Sequence, residues 1–308
     1  MQSLVTGANG QDGQILTKLL SERGFKVSKV VARHSKCENL KDRDHERTFS
    51  LESIDFPQIL RIVRPEIIVH SAGLHQSSEL NSDSNQYRTK MKRVHVNMTK
   101  EIIDYQKSVN LDCKSVISLS AHMFAPVTLP NKINEESQTS PLSYYGETKL
   151  EAWSCLKNAR NDGLNISGAI LFNHTSALSK DFFLFPRIAQ QLVQILFERK
   201  NKLEVQNLSI KLDISDAHEI ANGILNILEM NQLEDFVLGS NSYFEIWEVV
   251  KEVCTDLGID WEKVLPTKLS SSKTGYFGDA NKAKNKLGWQ TQKSPRALLL
   301  EMTQQLIQ

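Results

Sequence analysis

The sequence is sparing in the features that would assign a chain to a special class. Its 308 residues include four cysteines, Cys37, Cys113, Cys155 and Cys254, far apart, with no CxxC and no Cys/His pair at metal-ligand spacing. This pattern argues against a disulfide framework and against a zinc site, so no metal is expected. It suits reduced structural thiols in a cytoplasmic enzyme. Neither sign of charge is in excess: 37 Lys and Arg stand against 36 Asp and Glu, a formal net charge of +1. That balance gives no electrostatic reason to expect nucleic acid or an anionic membrane as partner, while a small anionic ligand held by a few placed cations stays compatible with it. Apolar runs fall far short of the roughly 20 residues of a membrane-spanning helix. The chain enters a strand-like segment at 2–5 without the basic and apolar regions of a secretory signal. No repeat or long low-complexity linker occurs, and 40% hydrophobic with 24% charged residues exclude a disordered or fibrous class.

What is present is alternation. Short apolar runs at 3–5, 27–32, 67–70, 115–120 and 166–172 alternate with helical patterns at 15–23, 56–63, 94–108 and 145–159. Such alternation predicts an α/β protein with a doubly wound parallel sheet of the Rossmann type. Strands apolar along their whole length fit a sheet covered on both faces. Beyond residue 173 the rhythm changes to longer helical stretches at 187–198, 218–230 and 243–257, with brief strand candidates at 203–205 and 236–238. The expected division is a Rossmann domain over 1–172 and a smaller, helix-rich lobe over 173–308 that returns segments to the first domain. A polar surface loop is expected at 267–274.

Directly after the first strand comes Thr6-Gly7-Ala8-Asn9-Gly10-Gln11-Asp12-Gly13, followed at once by an amphipathic helix. Gly7, Gly10 and Gly13 have GxxGxxG spacing. Missing side chains permit a tight turn, close approach to a pyrophosphate and close helix packing, and the helix N-terminus turns free amides toward the phosphates. Glycine triplets arise by chance; strand before and helix after single this one out as a dinucleotide fingerprint. At the end of the second strand an NAD site would carry an acidic residue for the ribose 2′-hydroxyl. Here the chain reads Ala32-Arg33-His34-Ser35-Lys36. Arg33 and Ser35 suit a 2′-phosphate, because a planar guanidinium binds phosphate oxygens in pairs. NADP is the preferred cofactor, with NAD left open, and a solvated basic turn is the plain alternative.

Tyr145 and Lys149 form a YxxxK pair at the start of a helix, where a spacing of four puts both on one face. Chemistry at a carbinol needs a group that takes and returns the hydroxyl proton, and a phenol with its pKa lowered by a nearby ammonium can do so. Lys149 would also bond the nicotinamide ribose. Ser120, ending the strand before Ala121-His122, can reach the same reacting oxygen. Asn97 can support the lysine through water, or simply cap its helix.

With these pieces assembled, the chain resembles the extended short-chain dehydrogenases/reductases, and among them the GDP-mannose 4,6-dehydratase family, over nearly its whole length. The stretches that carry the resemblance are TGANGQDG at 6–13, SYYGETKLEAW at 143–153, ILFNH at 170–174, NLSIKLD at 207–213, DFVLG at 235–239 and GDANKAKNKLGW at 278–289. It implies cofactor contacts from Gln11, Asp12, Ala72 and His174 beside the glycines, Tyr145 and Lys149. Asn173 and Arg187 would hold the diphosphate of a nucleotide-sugar substrate, and copies would pair through two helices flanking the sheet, one carrying Tyr145 and Lys149. The implied reaction oxidises sugar C4 with NADP, eliminates water across C5 and C6, and returns the hydride to C6. The family supplies its acid/base carboxylate two residues after its catalytic threonine or serine, a place taken here by His122. An imidazole titrates near neutrality and can move that proton, or can merely line the pocket. The arginine of the family's RDW segment is Leu212, between Lys211 and Asp213, and the arginine and glutamate of its RPxEV segment fall in the Ser-rich stretch at 269–273. Lysine does not duplicate the lost bidentate contacts. Three readings stay open: a nucleotide-sugar dehydratase; a 4-keto-sugar reductase or epimerase needing only Ser120, Tyr145 and Lys149; and a catalytically silent binder, against which the intact Tyr/Lys pair argues.

Overall fold

The computed structural model describes residues 1–32, 47–74, 84–205, 208–268 and 272–307. Arg33, Ser35 and Cys37 lie outside the described residues, as does part of the loop expected at 267–274. The chain runs β1 (Gln2–Thr6), α1 (Gln11–Glu22), β2 (Lys26–Val31), β3 (Arg47–Ser50), α2 (Phe56–Val63), β4 (Ile67–His70), α3 (Asn85–Lys92), α4 (Met98–Ser108), β5 (Lys114–Ser120), β6 (Val127–Thr128), α5 (Tyr144–Asn161) and β7 (Ile166–Leu171). It continues through β8 (Asn173–Thr175), α6 (Leu184–Leu196), β9 (Lys211–Leu212), β10 (Ile214–Asp216), α7 (Ala217–Leu228), β11 (Phe236–Leu238), β12 (Phe244–Glu245), α8 (Ile246–Asp256), α9 (Trp261–Val264), β13 (Thr274–Gly275), α10 (Asn281–Leu287) and α11 (Pro295–Gln305).

Seven strands form one sheet in the order β11-β7-β5-β4-β1-β2-β3, and every pairing in it is parallel. Consecutive residues such as Leu4-Val5, Ile68-Val69, Val116-Ile117 and Ala169-Ile170 are all 1% exposed or less. Both faces of the strands are therefore covered, which is why they read as unbroken apolar runs rather than alternating ones. The chain leaves β1 toward β2 and β3, then returns to β4 on the other side of β1. Right-handed crossovers then put α1 and the layer α2, α4, α5 on opposite faces and open a crevice where the order reverses. The C-terminal ends of β1, β4, β5 and β7 border that crevice.

The chain beyond residue 173 contributes to the sheet and to a second apolar cluster. β11 joins the sheet beside β7, and α7 packs on α1. A second apolar cluster, with Phe185, Ile188, Leu192, Trp247, Val250, Val253 and Leu299, is built by α6, α8 and α11. Residues 203–205 form no strand, contrary to expectation: Leu203 is buried and its amide donates to the Val264 carbonyl at 2.8 Å, so it closes the lobe's core instead of a ladder. The helix expected from 243 starts at Ile246, because Phe244–Glu245 pairs antiparallel with Lys211–Leu212. Among the described residues no helix is long and apolar enough to cross a membrane.

Candidate active site

The glycine loop is shaped by backbone meeting backbone. Gly7 has φ +67°, and a Cβ there would stand 2.7 Å from the Cα of Ala72, in the loop after β4. A Cβ on Gly13 would stand 2.2 Å from the Gly7 carbonyl oxygen. The loop therefore folds tightly onto the first turn of α1 and against the neighbouring strand's loop only without side chains. Gly10 caps α1, whose first turn leaves amides facing the crevice. A dinucleotide's pyrophosphate fits this cradle of amides and helix dipole.

Asp12 adds a carboxylate to that first turn, and the structure supplies its counter-charge. Both Asp12 oxygens lie 3.1 Å from His174 Nε2, and His174 Nδ1 donates to the Phe172 carbonyl at 2.7 Å. Burial alone would lower the imidazole's pKa. The Asp12 charge and hydrogen bond, with the Phe172 carbonyl, outweigh it and raise His174 to about 9. The pair thus brings no net negative charge to the glycine loop at neutral pH. Gln11 ties the same turn to the segment after β8: its Oε1 accepts from Ser176 Oγ at 3.0 Å and from Ser179 Oγ.

Ser120, Tyr145 and Lys149 converge at the C-terminal end of β5. Ser143 caps α5, accepting from the Gly146 amide at 3.2 Å, and sets the start of the helix that carries the pair. Burial pushes the Tyr145 phenol up, a hydrogen bond with the Ser120 side chain pulls it down, and the Asp12 charge pushes it up. The net direction is upward, led by burial. Lys149 Nζ donates to the Ser118 carbonyl at 2.7 Å and stands 6.0 Å from the phenol ring centroid. Desolvation lowers Lys149 to about 8, against the Asp12 charge, which leaves it mainly cationic at neutral pH.

His122 stands beside these groups. Its amide donates to Ser120 Oγ at 3.2 Å, and its ring lies between Tyr145, edge-on at 5.8 Å, and Tyr276 at 4.5 Å. Desolvation among these rings lowers its pKa, favouring neutral imidazole. Tyr276 was not legible beforehand. It is delivered by β13, which pairs with β6 across a long stretch of chain. Asn97 is exposed; the buried residues of its turn, Arg93–Asn97, are His95 and Val96. Among the described residues no group of three or more His, Cys, Asp or Glu is placed to hold a metal ion. A cavity of about 490 Å³ lined by Leu20, Phe25, Ile67, Lys114 and Leu228 lies at the opposite ends of the strands, away from this chemistry.

The sequence model of the GDP-mannose 4,6 dehydratase family matches residues 4–302. The chain belongs to this family. It is 25% identical to the human GDP-mannose 4,6 dehydratase, covering 99% of this chain and 90% of that protein. Among solved structures it is similar to a dTDP-glucose 4,6-dehydratase from Bacillus anthracis in complex with NAD, with TM-score 0.80 and 17% identity over 99% and 96% of the two chains. RMD from Pseudomonas aeruginosa, complexed with NADPH, gives TM-score 0.75 and 18% identity over 98% of each chain.

In this member of the dehydratase family the residues expected on the substrate side lie in β8 and in the first turn of α6. Asn173 is exposed at the start of β8 and donates through Nδ2 to the Asp213 carbonyl at 3.1 Å. Arg187 is exposed in the first turn of α6. Asp213, a family-like residue whose role the sequence did not disclose, is fully buried and accepts from Ser240 N at 2.8 Å, Ser240 Oγ at 2.7 Å and Gly278 N at 2.9 Å. It stitches together the chain around β9, β11 and α10.

Proposed function

We propose that this chain is an NADP-dependent enzyme that oxidises C4 of a nucleotide-activated hexose and eliminates water from that sugar, working in the cytoplasm. The observation that carries the reading is the convergence of Ser120, Tyr145 and Lys149 beside the glycine cradle. Ser120 and Tyr145 hold the C4 oxygen, and Tyr145 takes its proton as the carbinol is oxidised. Lys149, fixed on the Ser118 carbonyl and cationic at neutral pH, stabilises the resulting phenolate. When bound, the nicotinamide would accept the C4 hydride and return it to C6, so that the sugar's net change is the loss of one water, and in its oxidised form it would supply a positive charge that favours phenol ionisation. His122, kept neutral, accepts the C5 proton and returns one to the hydroxyl that leaves C6 as water. Asn173 and Arg187 face the nucleoside diphosphate from a substrate lobe beginning near residue 173. Gly7, Gly10, Gln11, Asp12, Gly13, Ala72 and His174 surround the dinucleotide. NADP is preferred over NAD on the strength of Arg33 and Ser35, and copies pair through α4 and α5.

A second reading, a 4-keto-sugar reductase or epimerase, is favoured by one observation: an imidazole stands at 122 where the family has a carboxylate, and the nearby Asp12 carboxylate is engaged by His174. Mass spectrometry of products decides between them, with purified protein, NADP(H) and NAD(H) in parallel, and a panel including GDP-mannose and its 4-keto-6-deoxy derivative. Loss of one water from a sugar establishes the dehydratase; gain of two hydrogens on the keto sugar alone establishes the reductase. In either case Tyr145→Phe is expected to abolish turnover while NADPH binding, read by fluorescence, is retained. Unchanged turnover in that variant would remove Tyr145 from the mechanism.

A further inference from the structure

Two buried histidines lie between the glycine loop and α5 and take no part in the chemistry just described. His70 ends β4, and His95 sits in a π-helical turn, Arg93–Asn97, between α3 and α4; both are 1% exposed. Such turns insert one residue into a helix, re-aim a side chain, and recur at functional sites. Hydrogen-bond partners fix both tautomers. His70 Nε2 faces the Val94 carbonyl at 3.0 Å, which can only accept, so Nε2 carries the hydrogen and Nδ1 accepts from Thr6 Oγ1 at 2.7 Å. Burial, then the Lys149 charge, lower His70 to about 3, in keeping with a neutral ring. His70 thereby pins the π turn to the first strand.

His95 has the opposite tautomer. The Leu74 amide donates to Nε2 at 3.2 Å, so the hydrogen is on Nδ1, which donates to Thr148 Oγ1 at 2.8 Å. Thr148 in turn donates to the Tyr145 carbonyl at 2.9 Å. The imidazole also stands edge-on to the Tyr145 ring, centroids 5.4 Å apart at 79°. A Cβ on Gly73 would lie 3.8 Å from His95 Nε2 and 3.9 Å from Lys149 Nζ, so the same ring borders the lysine's surroundings.

We propose that His95 is a positioning residue for Tyr145: through Thr148 and its own ring edge it fixes the first turn of α5 so that the phenol meets Ser120. The donor order Leu74 amide, His95, Thr148, Tyr145 carbonyl runs one way and requires an acceptor at Nε2 and a donor at Nδ1. Leucine fills the volume with neither. Asparagine places an amide donor close to Nδ1 and lacks the reach to Leu74, which isolates the Thr148 link.

The inference rests on Tyr145 as the proton-transfer residue, and its test reads the phenol directly. Tyrosine is labelled at Cζ, and the Tyr145 carbon resonance is assigned among six tyrosines by its loss in Tyr145→Phe. His95→Leu and Thr148→Val are expected to move that resonance away from its wild-type position, through loss of the Ser120 contact, and His95→Asn to restore most of it. Turnover of the sugar that the product screen identifies is expected to fall about 10- to 100-fold in kcat for His95→Leu, with KM within about twofold. His95→Asn should recover most of that loss at an unchanged thermal midpoint relative to His95→Leu. A Tyr145 resonance that stays in place in His95→Leu and Thr148→Val, or equal effects of Leu and Asn at 95, would overturn the proposal. If the wild-type protein turns over no nucleotide sugar, the functional reading fails while the resonance still decides the role of His95.

Discussion

Gly146 shows how a single missing side chain sets the geometry around Tyr145. A Cβ there would stand 2.1 Å from the His122 carbonyl oxygen and 2.9 Å from Pro141 Cβ. The start of α5 is thus pressed directly onto the turn that follows Ser120, and the residue before Gly146 is Tyr145. Gly146→Ala must separate helix and turn by an ångström or more. Misplacement of that size costs on the order of 100-fold in rate, about 2.7 kcal/mol of barrier. The variant is therefore expected to lose about 100-fold in kcat/KM while binding NADPH nearly as well as wild type, since the glycine cradle lies on a different strand end. A kinetic assay with a fluorescence titration of the cofactor checks both halves; near-normal turnover would mean that the 121–123 turn yields without moving Tyr145 from Ser120.

At the scale of elements, Asp213 between β9 and β10 does what no local pattern announces. Burial raises its carboxyl to about 6, against donors from Ser240 and Gly278 and the charge of Lys132. Asp213→Asn keeps the size, yet turns an amide N–H toward at least one of those donors. A buried donor left unsatisfied costs about 1–3 kcal/mol, so a loss of about 2 kcal/mol in urea denaturation is expected, and an unchanged midpoint would count against the stitching role. The contrast with what could be read beforehand is physical. β1, β2, β4, β5 and β7 are buried on both faces, so the sequence shows them as apolar runs. β3, Arg-Thr-Phe-Ser at the sheet edge, is buried on only part of its length and shows no such run. The proximity of Ser120, Tyr145 and Lys149 was legible because strand end and helix spacing are local facts. Tyr276 was not, because β13 reaches the site only through pairing with β6. His95 was not singled out, because its buried setting depends on the π turn at Arg93–Asn97, which the usual 3.6-residue repeat does not describe.

Across the whole molecule, the Asp12–His174 pair joins the first turn of α1 to β8, and its protonation links stability to pH. His174 is raised from 6.5 to about 9 in the folded protein, after the Asp12 charge and hydrogen bond and the Phe172 carbonyl overcome the effect of burial. The folded state therefore holds a proton that the unfolded chain releases near 6.5. The resulting stabilisation is fully present below about pH 6.5 and is lost as pH rises through about 9. A shift of this size corresponds to on the order of 3 kcal/mol. His174→Gln retains a donor toward Asp12 and removes the titrating charge. Its deficit against wild type is expected to be about 2–3 kcal/mol at pH 6 and to shrink toward zero at pH 10, as measured by urea denaturation at each pH. A deficit that stays constant between those values would mean that packing rather than the ion pair holds α1 to β8. The pair could then no longer explain how the Asp12 carboxylate is accommodated beside the glycine loop.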